Sequence, residues 1–460
     1  MSQATFTSLK FHPDILKNLA ALGLEEMTPI QAHSLPHILA GKDVIGQGKT
    51  GSGKTAAFAL GVLQKLKVKR FRVQSLILCP TRELADQVAQ EVRKLGRSIH
   101  NIKVLMLCGG MPFGPQVGSL EHGAHIIVGT PGRIEEHLRK ETLSLSDLEI
   151  LVLDEADRML DMGFQPALDA ILGYAPQQRQ TLLFSATYPD QIQSIAKRIM
   201  LTPMLIQVAT MHEQSSVQQY LYQLEDDTQR LTALCLLLLH YRPESAVVFC
   251  NTKRETQYVA DELRMQGFSV LALNGDLEQR DREQALVRFE NKSVSVLVAT
   301  DLAARGLDID ALDAVINYQI AHDPEVHVHR IGRTGRAGNQ GIASTLFTEK
   351  ERHKVVQLEV YLDQSIAIES LPPMSLLENA AYKAPMVTLL IDGGKKQKLR
   401  PGDILGALTA ENGVQGTQVG KIKIADNRAY VAVNQKVGKL ALKKLTAGKL
   451  KGRSFRARQI

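Results

Sequence analysis

The stretch from Gly46 to Thr55, GQGKTGSGKT, contains Gly-Lys-Thr twice, and only the second copy has the spacing of a phosphate-binding loop. Such a loop needs a glycine, four residues and then Gly-Lys-Ser/Thr. Counting back from Gly53 reaches Gly48, whereas counting back from the first copy reaches Asp43, a carboxylate where phosphate would sit. The spacing predicts that Lys54 binds phosphate and that Thr55 offers a hydroxyl to magnesium. The predicted phosphate-loop residues are Gly48, Lys49, Thr50, Gly51, Ser52, Gly53, Lys54 and Thr55.

A second reactive cluster, Asp154-Glu155-Ala156-Asp157, follows the apolar run LEILVL. A carboxylate at a strand end beside a phosphate loop can bind magnesium, partly through water, and Asp154 fits that role. Glu155 would face the terminal phosphate and position or deprotonate the attacking water. Together, the loop and the carboxylates predict hydrolysis of a nucleoside triphosphate with Mg²⁺.

The elements that must position these residues are short apolar strands that alternate with longer helical patterns, in two successive series. Near-continuous apolar strands separated by helices indicate parallel sheets covered on both faces. Polar clusters directly follow most of these strands, which is where open α/β sheets bind ligands. Breaks near 208–219 and 369–385 divide the chain into an α/β pair of lobes and a small C-terminal domain.

Composition agrees with a multidomain globular protein. The 460 residues exceed what one core accommodates, and the content of 44% hydrophobic and 22% charged residues is ordinary. The N-terminal residues lack a secretory signal pattern, which favours a cytoplasmic location. The longest apolar run, 231–239, is too short to cross a bilayer and is interpreted as a buried helix. Four widely spaced cysteines predict buried reduced thiols rather than zinc ligands or disulfides.

Charge is distributed unevenly along the chain. Residues 383–460 contain 12 Lys and 5 Arg against 3 Asp and 1 Glu, a net charge of +13, while the whole chain carries +7. The remainder is therefore mildly acidic, and the basic C-terminal end indicates a polyanionic partner. Its pattern, strand-helix-strand-strand-helix-strand, predicts a four-stranded sheet backed by two helices, an α+β domain.

Over residues 1 to about 370 the chain resembles the DEAD-box RNA helicases, whose motifs recur here in order. The resemblance implies two RecA-like lobes, 1–209 and 210–370. The stretch GLEEMTPIQ, Gly23 to Gln31, resembles the adenine-recognising motif of that family. It implies that Gln31 hydrogen-bonds the adenine edge of ATP and that Phe6 stacks on the base. Leu24 stands where many members carry an aromatic residue.

The resemblance also implies RNA-backbone contacts, which position a strand without reading its bases. The stretches involved are PTREL, Gly-Gly and TPGR in the first lobe, and FCNT, QRDR and ATD in the second. The implied contacts are Pro80, Thr81, Arg82, Gly109, Gly110, Thr130, Pro131, Gly132, Arg133, Thr252, Gln279, Arg282, Thr300 and Asp301. Residues implied to couple hydrolysis to unwinding are Ser185, Thr187 and His329.

The stretch HRIGRTGR carries three arginines at spacings of three. By resemblance, Arg333 and Arg336 are arginine fingers, which stabilise transition-state charge and contribute roughly 1,000-fold or more in rate. Asp308 is the implied ribose contact. A metal-binding pair at His327 is disfavoured because no third ligand has suitable spacing. Since the implied catalytic groups divide between the lobes, closure of the lobes over RNA must precede hydrolysis.

The C-terminal segment resembles the RNA-recognition-motif-like domain of the DbpA-type bacterial subgroup, with a linker at 371–385 and the domain at 386–460. Members recognise a large-subunit ribosomal RNA hairpin near the peptidyl-transferase centre and assist ribosome assembly. Recognition motifs usually stack bases on several sheet aromatics, but here only Tyr430 lies in the central strand. Basic loops are therefore the favoured RNA contacts. The implied residues are Lys395, Lys396, Lys398, Arg400, Arg428 and Tyr430.

The leading hypothesis is an ATP- and Mg²⁺-dependent RNA helicase, monomeric, that acts on ribosomal RNA in pre-ribosomal particles. An ATP-gated RNA clamp or general RNA chaperone with low turnover is the alternative, which Glu155 and the finger arginines disfavour. A DNA helicase is disfavoured by the adenine motif at Gln31 and by the C-terminal domain.

Overall fold

The computed structural model describes residues 4–48, 51–208, 217–304, 312–335, 341–410 and 413–460. These residues form two compact units that separate between Val208 and Val217. The first unit is built on one parallel sheet. The second contains another parallel sheet and a smaller antiparallel one. This architecture confirms the predicted fold class, while the proposed domain boundaries stay predictions.

The first lobe has a sheet in the order β3-β4-β2-β5-β6-β1-β7, with every pair parallel. Its strands are β1 (Val44–Gln47), β2 (Ser75–Leu78), β3 (Val104–Leu107), β4 (Ile126–Gly129), β5 (Ile150–Asp154), β6 (Gln180–Ser185) and β7 (Met204–Gln207). The first six follow the predicted apolar runs. The sequence analysis missed β7, whose side chains are alternately half-buried and exposed because it is an edge strand.

Helices cover both faces of this sheet. They are α1 (Pro13–Ala21), α2 (Pro29–Leu39), α3 (Lys54–Lys65), α4 (Arg82–Leu95), α5 (Phe113–Glu121), α6 (Pro131–Arg139), α7 (Ala156–Asp161), α8 (Gln165–Tyr174) and α9 (Asp190–Ile199). Successive β1 residues face opposite cores, since Val44 packs in one apolar cluster and Ile45 in the other. Apolar packing on both faces explains why the strands are apolar throughout.

The second lobe repeats this plan with the parallel order β10-β11-β9-β12-β13-β8-β14. Its strands are β8 (Val217–Leu224), β9 (Ala246–Phe249), β10 (Val270–Leu273), β11 (Val296–Ala299), β12 (Ala314–Asn317), β13 (Gly341–Thr348) and β14 (Ala367–Glu369). Its helices are α10 (Arg230–Tyr241), α11 (Lys253–Met265), α12 (Gln279–Glu290), α13 (Asp301–Ala304), α14 (Pro324–Ile331) and α15 (Arg352–Leu362). The apolar run 231–239 lies in buried α10, as predicted.

The C-terminal domain has the predicted element order and the antiparallel sheet β16-β17-β15-β18. Its elements are β15 (Met386–Ile391), α16 (Pro401–Thr409), β16 (Val419–Ile424), β17 (Ala429–Asn434), α17 (Gly438–Ala447) and β18 (Ala457–Gln459). Leu389 and Val431 point into a core shared with Ile404 and Leu445 of the two helices. One face of the sheet is therefore covered by α16 and α17.

The segment 371–385, expected to be a linker, packs against the second lobe. Leu371, Leu376 and Tyr382 contact its apolar core, and the Tyr382 ring meets Phe268 edge-on at 5.9 Å between centroids. The four cysteines are buried. In the described part of the chain no helix combines the length and the apolar character needed to cross a membrane.

Candidate nucleotide and RNA sites

The predicted phosphate-binding loop connects β1 to α3. Gly53 has a φ of 92°, and a β-carbon there would lie 2.5 Å from Gln31 Nε2, so the position requires glycine. Lys54 begins α3, is 7% exposed and donates a hydrogen bond from Nζ to the Gly48 carbonyl oxygen. The lysine therefore lies across the loop where phosphates are predicted to bind. Two further predicted loop residues, Lys49 and Thr50, lie outside the described residues.

Two buried carboxylates lie at the carboxyl end of β5 in the same lobe. Asp154 is 3% exposed, and burial, reinforced by neighbouring Glu155, raises its pKa to about 7 despite the opposing charge of Lys54. Burial also lowers the pKa of Lys54, against the attraction of both carboxylates. Glu155 adopts a left-handed φ of 52°, an uncommon conformation for a residue with a β-carbon. Lys54 and the two carboxylates are thus buried together, and the single lysine charge does not offset the effect of burial on Asp154.

Unsatisfied polar atoms surround these charges. Ser52 Oγ and Glu155 Oε2 are buried without a hydrogen-bond partner. Glu155 Oε2 lies 3.1 Å from Nη1 of Arg158, which is close enough for an ion pair but lacks hydrogen-bond geometry. Hard cations such as Mg²⁺ prefer carboxylate, hydroxyl and water oxygens. The donor set of Thr55 and Asp154, with its raised pKa and nearby orphan oxygens, fits a magnesium-bound phosphate.

The predicted coupling stretch contacts the carboxylate loop directly. Ser185 Oγ accepts a hydrogen bond of 3.4 Å from the Asp157 backbone N–H, and Thr187 Oγ1 donates one of 3.0 Å to Asp157 Oδ2. The backbone N–H groups of Ala186 and Thr187 bond the same carboxylate oxygen at 3.2 and 3.1 Å. A shift of either loop therefore strains four hydrogen bonds.

The adenine prediction divides into two outcomes. Gln31, on α2, bonds the loop itself, because its Nε2 donates to Gly53 O at 3.1 Å and its Oε1 accepts from Thr28 N–H at 2.9 Å. Its contact with adenine stays a prediction. Phe6 is only 3% exposed and packs against Phe11 within the core. Stacking of Phe6 on a base does not fit this structure, because the ring has no open face.

The implied RNA-backbone residues of the first lobe lie beyond the carboxyl ends of β2, β3 and β4. Gly109, Gly110 and Gly132 are exposed, while Pro80 and Pro131 are buried supports. Thr81 caps α4 by accepting from Leu84 N–H, and Arg82 follows it, half-buried. Thr130 Oγ1 accepts a hydrogen bond of 3.3 Å from Gly109 N–H. The structure therefore joins the Gly-Gly and TPGR stretches into one surface.

In the second lobe, Arg330 organises the site, a role that the sequence analysis missed. Its guanidinium pairs with Asp301 at 2.6 and 2.7 Å and bonds Asn251 and Asn317 at 2.9 and 3.1 Å. It also lies over the Phe249 ring, with its central carbon 5.1 Å from the centroid. Asp301 is therefore held by a buried arginine through two nitrogens, and its contact with RNA stays a prediction.

Other predicted residues of the second lobe support loops at strand ends. Thr252 caps α11 by accepting from Glu255 N–H, and Thr300 accepts from Ala303 N–H. Arg282, one turn into α12 from Gln279, donates to the Ala303 carbonyl at 2.9 Å. Arg333 is 9% exposed, and His329 lies half-buried on α14. Two predicted residues, Asp308 and Arg336, lie outside the described residues.

The C-terminal domain presents a basic turn between β15 and α16. Lys395, Lys396, Lys398 and Arg400 are exposed there, and Arg428 is half-buried nearby. The backbone N–H groups of Lys395 and Lys396 bond the Ala425 and Asp426 carbonyls at 2.9 Å each. Gly394 has room for no side chain, since a β-carbon would overlap the Ala425 carbonyl oxygen. The turn is therefore held rigidly against the β16–β17 connection with its lysines outward.

The other face of the C-terminal sheet packs on α12 of the second lobe. Tyr430 and Leu390 cluster with Val287, and Tyr430 is only 6% exposed. Thr388 Oγ1 lies 2.7 Å from Ser293 Oγ and accepts from Asn291 Nδ2 at 3.1 Å. The implied RNA contact at Tyr430 does not fit this structure, because helicase residues cover its ring.

Comparisons with known proteins identify the family of the chain. Residues 28–195 match the family model for the DEAD/DEAH box helicase, residues 229–338 that for the helicase conserved C-terminal domain, and residues 388–459 that for the DbpA RNA binding domain. The chain belongs to the DEAD-box ATP-dependent RNA helicases of the DbpA type. It is therefore an RNA-stimulated ATPase that uses ATP and binds RNA.

Individual relatives cover most of the chain. It is 52% identical over 446 residues to the ATP-dependent RNA helicase DbpA of Escherichia coli, covering 97% of each chain. It is 44% identical over 356 residues to the DEAD-box ATP-dependent RNA helicase CshA of Geobacillus kaustophilus, covering 77% of this chain and 76% of the relative. The structure of S. cerevisiae Dbp5 bound to RNA and ADP BeF3 matches 82% of this chain and 100% of its own, with a TM-score of 0.73 and 28% identity.

Proposed function

We propose that this helicase hydrolyses ATP only when RNA draws its two lobes together, and that closure separates short RNA duplexes locally. The buried cluster of Lys54, Asp154 and Glu155, with orphan oxygens beside it, supports the proposal most strongly. Burial of these charges costs free energy, and a cation bound to phosphate would stabilise the buried carboxylates. Arg333 and Arg336 of the second lobe would complete it as arginine fingers.

The residues divide the chemistry among them. Magnesium would be held by Thr55 and Asp154, partly through water, and would neutralise charge on the phosphates. Lys54 would leave the Gly48 carbonyl and bind phosphate oxygens. Glu155, whose buried Oε2 has no hydrogen-bond partner, would accept a proton from the attacking water. Asp157 would transmit phosphate release to Ser185 and Thr187 through their shared hydrogen bonds. Gln31 would bond adenine next to the loop that it already contacts.

The C-terminal domain would direct the enzyme to its RNA. We place the target in large-subunit ribosomal RNA, at a hairpin near the peptidyl-transferase centre, and the function in ribosome assembly on pre-ribosomal particles in the cytoplasm. The match to a DbpA RNA binding domain and the net charge of +13 in residues 383–460 support this assignment. Because α12 covers the Tyr430 face, the exposed basic turn at 394–400 is the proposed RNA contact. The enzyme would act as a monomer.

A panel of ribosomal RNA fragments tests the proposed RNA target. ATPase stimulation would be compared for the unmodified chain, for Lys395→Ala/Lys396→Ala/Lys398→Ala, and for the control Lys439→Ala/Lys443→Ala on α17, whose lysines are also exposed. We expect one fragment to stimulate best, and the turn variant to need about tenfold more of it while the control does not change. Equal stimulation by all fragments would contradict the proposed RNA target. Phosphate release that RNA does not accelerate would contradict the helicase cycle and the low-turnover clamp alike.

A further inference from the structure

A stacked pair of rings lies directly behind the implied RNA surface of the first lobe. Phe113, at the start of α5, stacks on His137 of α6 with centroids 4.3 Å apart and planes 18° apart. His137 is fully buried and Phe113 is half-buried. The same phenyl ring also meets two cations, since Lys140 Nζ lies 4.1 Å and the Arg133 guanidinium carbon 5.7 Å from its centroid.

His137 continues into a chain of hydrogen bonds that reaches the Gly-Gly loop. Gln116 Nε2 donates to the Cys108 carbonyl at 3.1 Å, so its Oε1 is left to accept from His137 Nε2 at 3.2 Å. Burial lowers the pKa of His137 to about 4, with Arg133 contributing in the same direction, so the ring is neutral at pH 7. The Thr142 hydroxyl lies 2.8 Å from His137 Nδ1 and also donates to the His137 carbonyl oxygen at 3.1 Å.

Three contacts therefore fix the loop from Cys108 to Met111. Gln116 donates a hydrogen bond to the Cys108 carbonyl, and Thr130 Oγ1 accepts one from the Gly109 N–H. Arg133 Nη1 donates to the Met111 carbonyl at 3.0 Å, while its Nε lies 3.1 Å from Glu136. A guanidinium has five N–H donors, and these two contacts fix its plane without using all of them. The exposed glycine amides and the arginine are thus presented together.

We propose that Phe113 and His137 are positioning residues that hold Arg133 and the Gly109–Gly110 amides in the arrangement that receives an RNA phosphate. The inference rests on the proposed RNA-backbone role of that surface. Phe113 acts on Arg133 through its ring face, and His137 acts on the loop through Gln116. Neither ring needs to touch RNA itself.

Substitution of the phenyl ring in the full-length protein tests this role. Phe113→Leu keeps apolar volume and removes the ring face, and Phe113→Met is a second apolar replacement in case the first variant folds poorly. We expect either to raise the RNA concentration for half-maximal ATPase roughly three- to tenfold. The turnover at saturating RNA and the KM for ATP should stay within twofold. Phe113→Tyr should restore wild-type values.

A matched control exists in the same lobe. Phe71 also contacts a histidine, His125, at 4.4 Å between centroids. Phe71 precedes β2 and His125 precedes β4, so this pair lies at the amino ends of the strands, away from the predicted RNA surface at their carboxyl ends. Phe71→Leu should not change the RNA requirement. A stable Phe113→Leu protein with an unchanged RNA requirement would overturn the proposal.

A double-mutant cycle distinguishes the positioning role of Phe113 from the RNA-backbone role of the surface on which it rests. If Phe113 acts through Arg133, Phe113→Leu should add less than twofold in an Arg133→Ala background. Full additivity would overturn the positioning role while leaving Arg133 as an RNA contact. An Arg133→Ala protein with a normal RNA requirement would instead refute the RNA role of this surface.

Discussion

The nucleotide loop of the first lobe and the basic turn of the C-terminal domain both place a lysine after a glycine. The lysine of the loop is buried, whereas the lysine of the turn is exposed. Lys54 is 7% exposed, has a lowered pKa and lies among buried carboxylates. Lys395 and Lys396 are exposed on a rigid turn whose polar backbone groups are already satisfied. A buried charge depends on specific neighbours, whereas exposed charges act together and are screened by salt. The first arrangement suits chemistry, and the second suits adhesion to a polyanion.

Removal of the buried lysine should give the largest effect of any change within the first lobe. Lys54→Ala is expected to lower the ATPase rate about 100- to 1,000-fold, because a charged group aimed at the phosphates is lost from a desolvated site. Lys49→Ala, in the first Gly-Lys-Thr, is the control, and we expect it to cost less than tenfold. Steady-state phosphate release measures both. Equal losses in the two variants would contradict the assignment of Lys54 from the loop spacing.

The pH dependence of nucleotide binding should show the second largest effect. Because the Asp154 pKa is raised to about 7, the carboxyl is protonated below that pH in the free protein and must lose its proton to bind magnesium. Apparent affinity for magnesium-ATP should therefore weaken about tenfold per pH unit as pH falls below 7.

The same raised pKa predicts a stability effect of known sign. The folded state retains the Asp154 proton to higher pH than the unfolded chain does, so its contribution to stability is full below about pH 4 and is lost as pH rises to about 7. Asp154→Asn should remove that loss and flatten the pH dependence of magnesium-ATP binding, as calorimetry and thermal unfolding can measure. A binding profile in Asp154→Asn as steep as in the wild type would reassign the titrating group.

The covered face of the C-terminal sheet should show the smallest effect. Thr388 is fully buried and its hydroxyl bonds both Asn291 and Ser293, so Thr388→Val should cost about 1–3 kcal/mol in the free energy of unfolding. Thr388→Ser keeps the hydroxyl and should cost less. Urea unfolding of the full chain compares them. A valine variant as stable as the serine variant would show that the polar contacts of Thr388 to Asn291 and Ser293 are not formed.

Local patterns identified the residues of the nucleotide site, but not those whose roles depend on tertiary contacts. The spacing of Gly48 to Lys54 and the position of Asp154 after an apolar strand follow from short-range rules. Arg330 looked like one of three equivalent arginines, and only its burial beside Asp301 distinguishes it.

The roles of two aromatic residues, Tyr430 and Phe6, also depend on tertiary contacts that the sequence pattern does not show. The alternation of β17 is identical whether RNA or α12 covers Tyr430, and Phe6 reads equally well as a stacking or a core residue. The predicted domain break at 208–219 overlaps the start of strand β8, VQQYLYQL, because the glutamines of this strand mask its buried Leu221 and Leu224. Sequence pattern reports which face is apolar and does not report which partner covers it.

We propose that the buried cluster around Lys54 is complete only when RNA brings Arg333 to it. Steady-state ATPase of the full-length protein and of Arg333→Ala, each with and without saturating RNA, tests that claim most directly. We expect strong stimulation of the wild type by RNA and a loss of roughly 1,000-fold or more in the RNA-stimulated rate of the variant, with ATP binding retained. Equal wild-type rates with and without RNA, or an arginine variant that RNA stimulates normally, would contradict it.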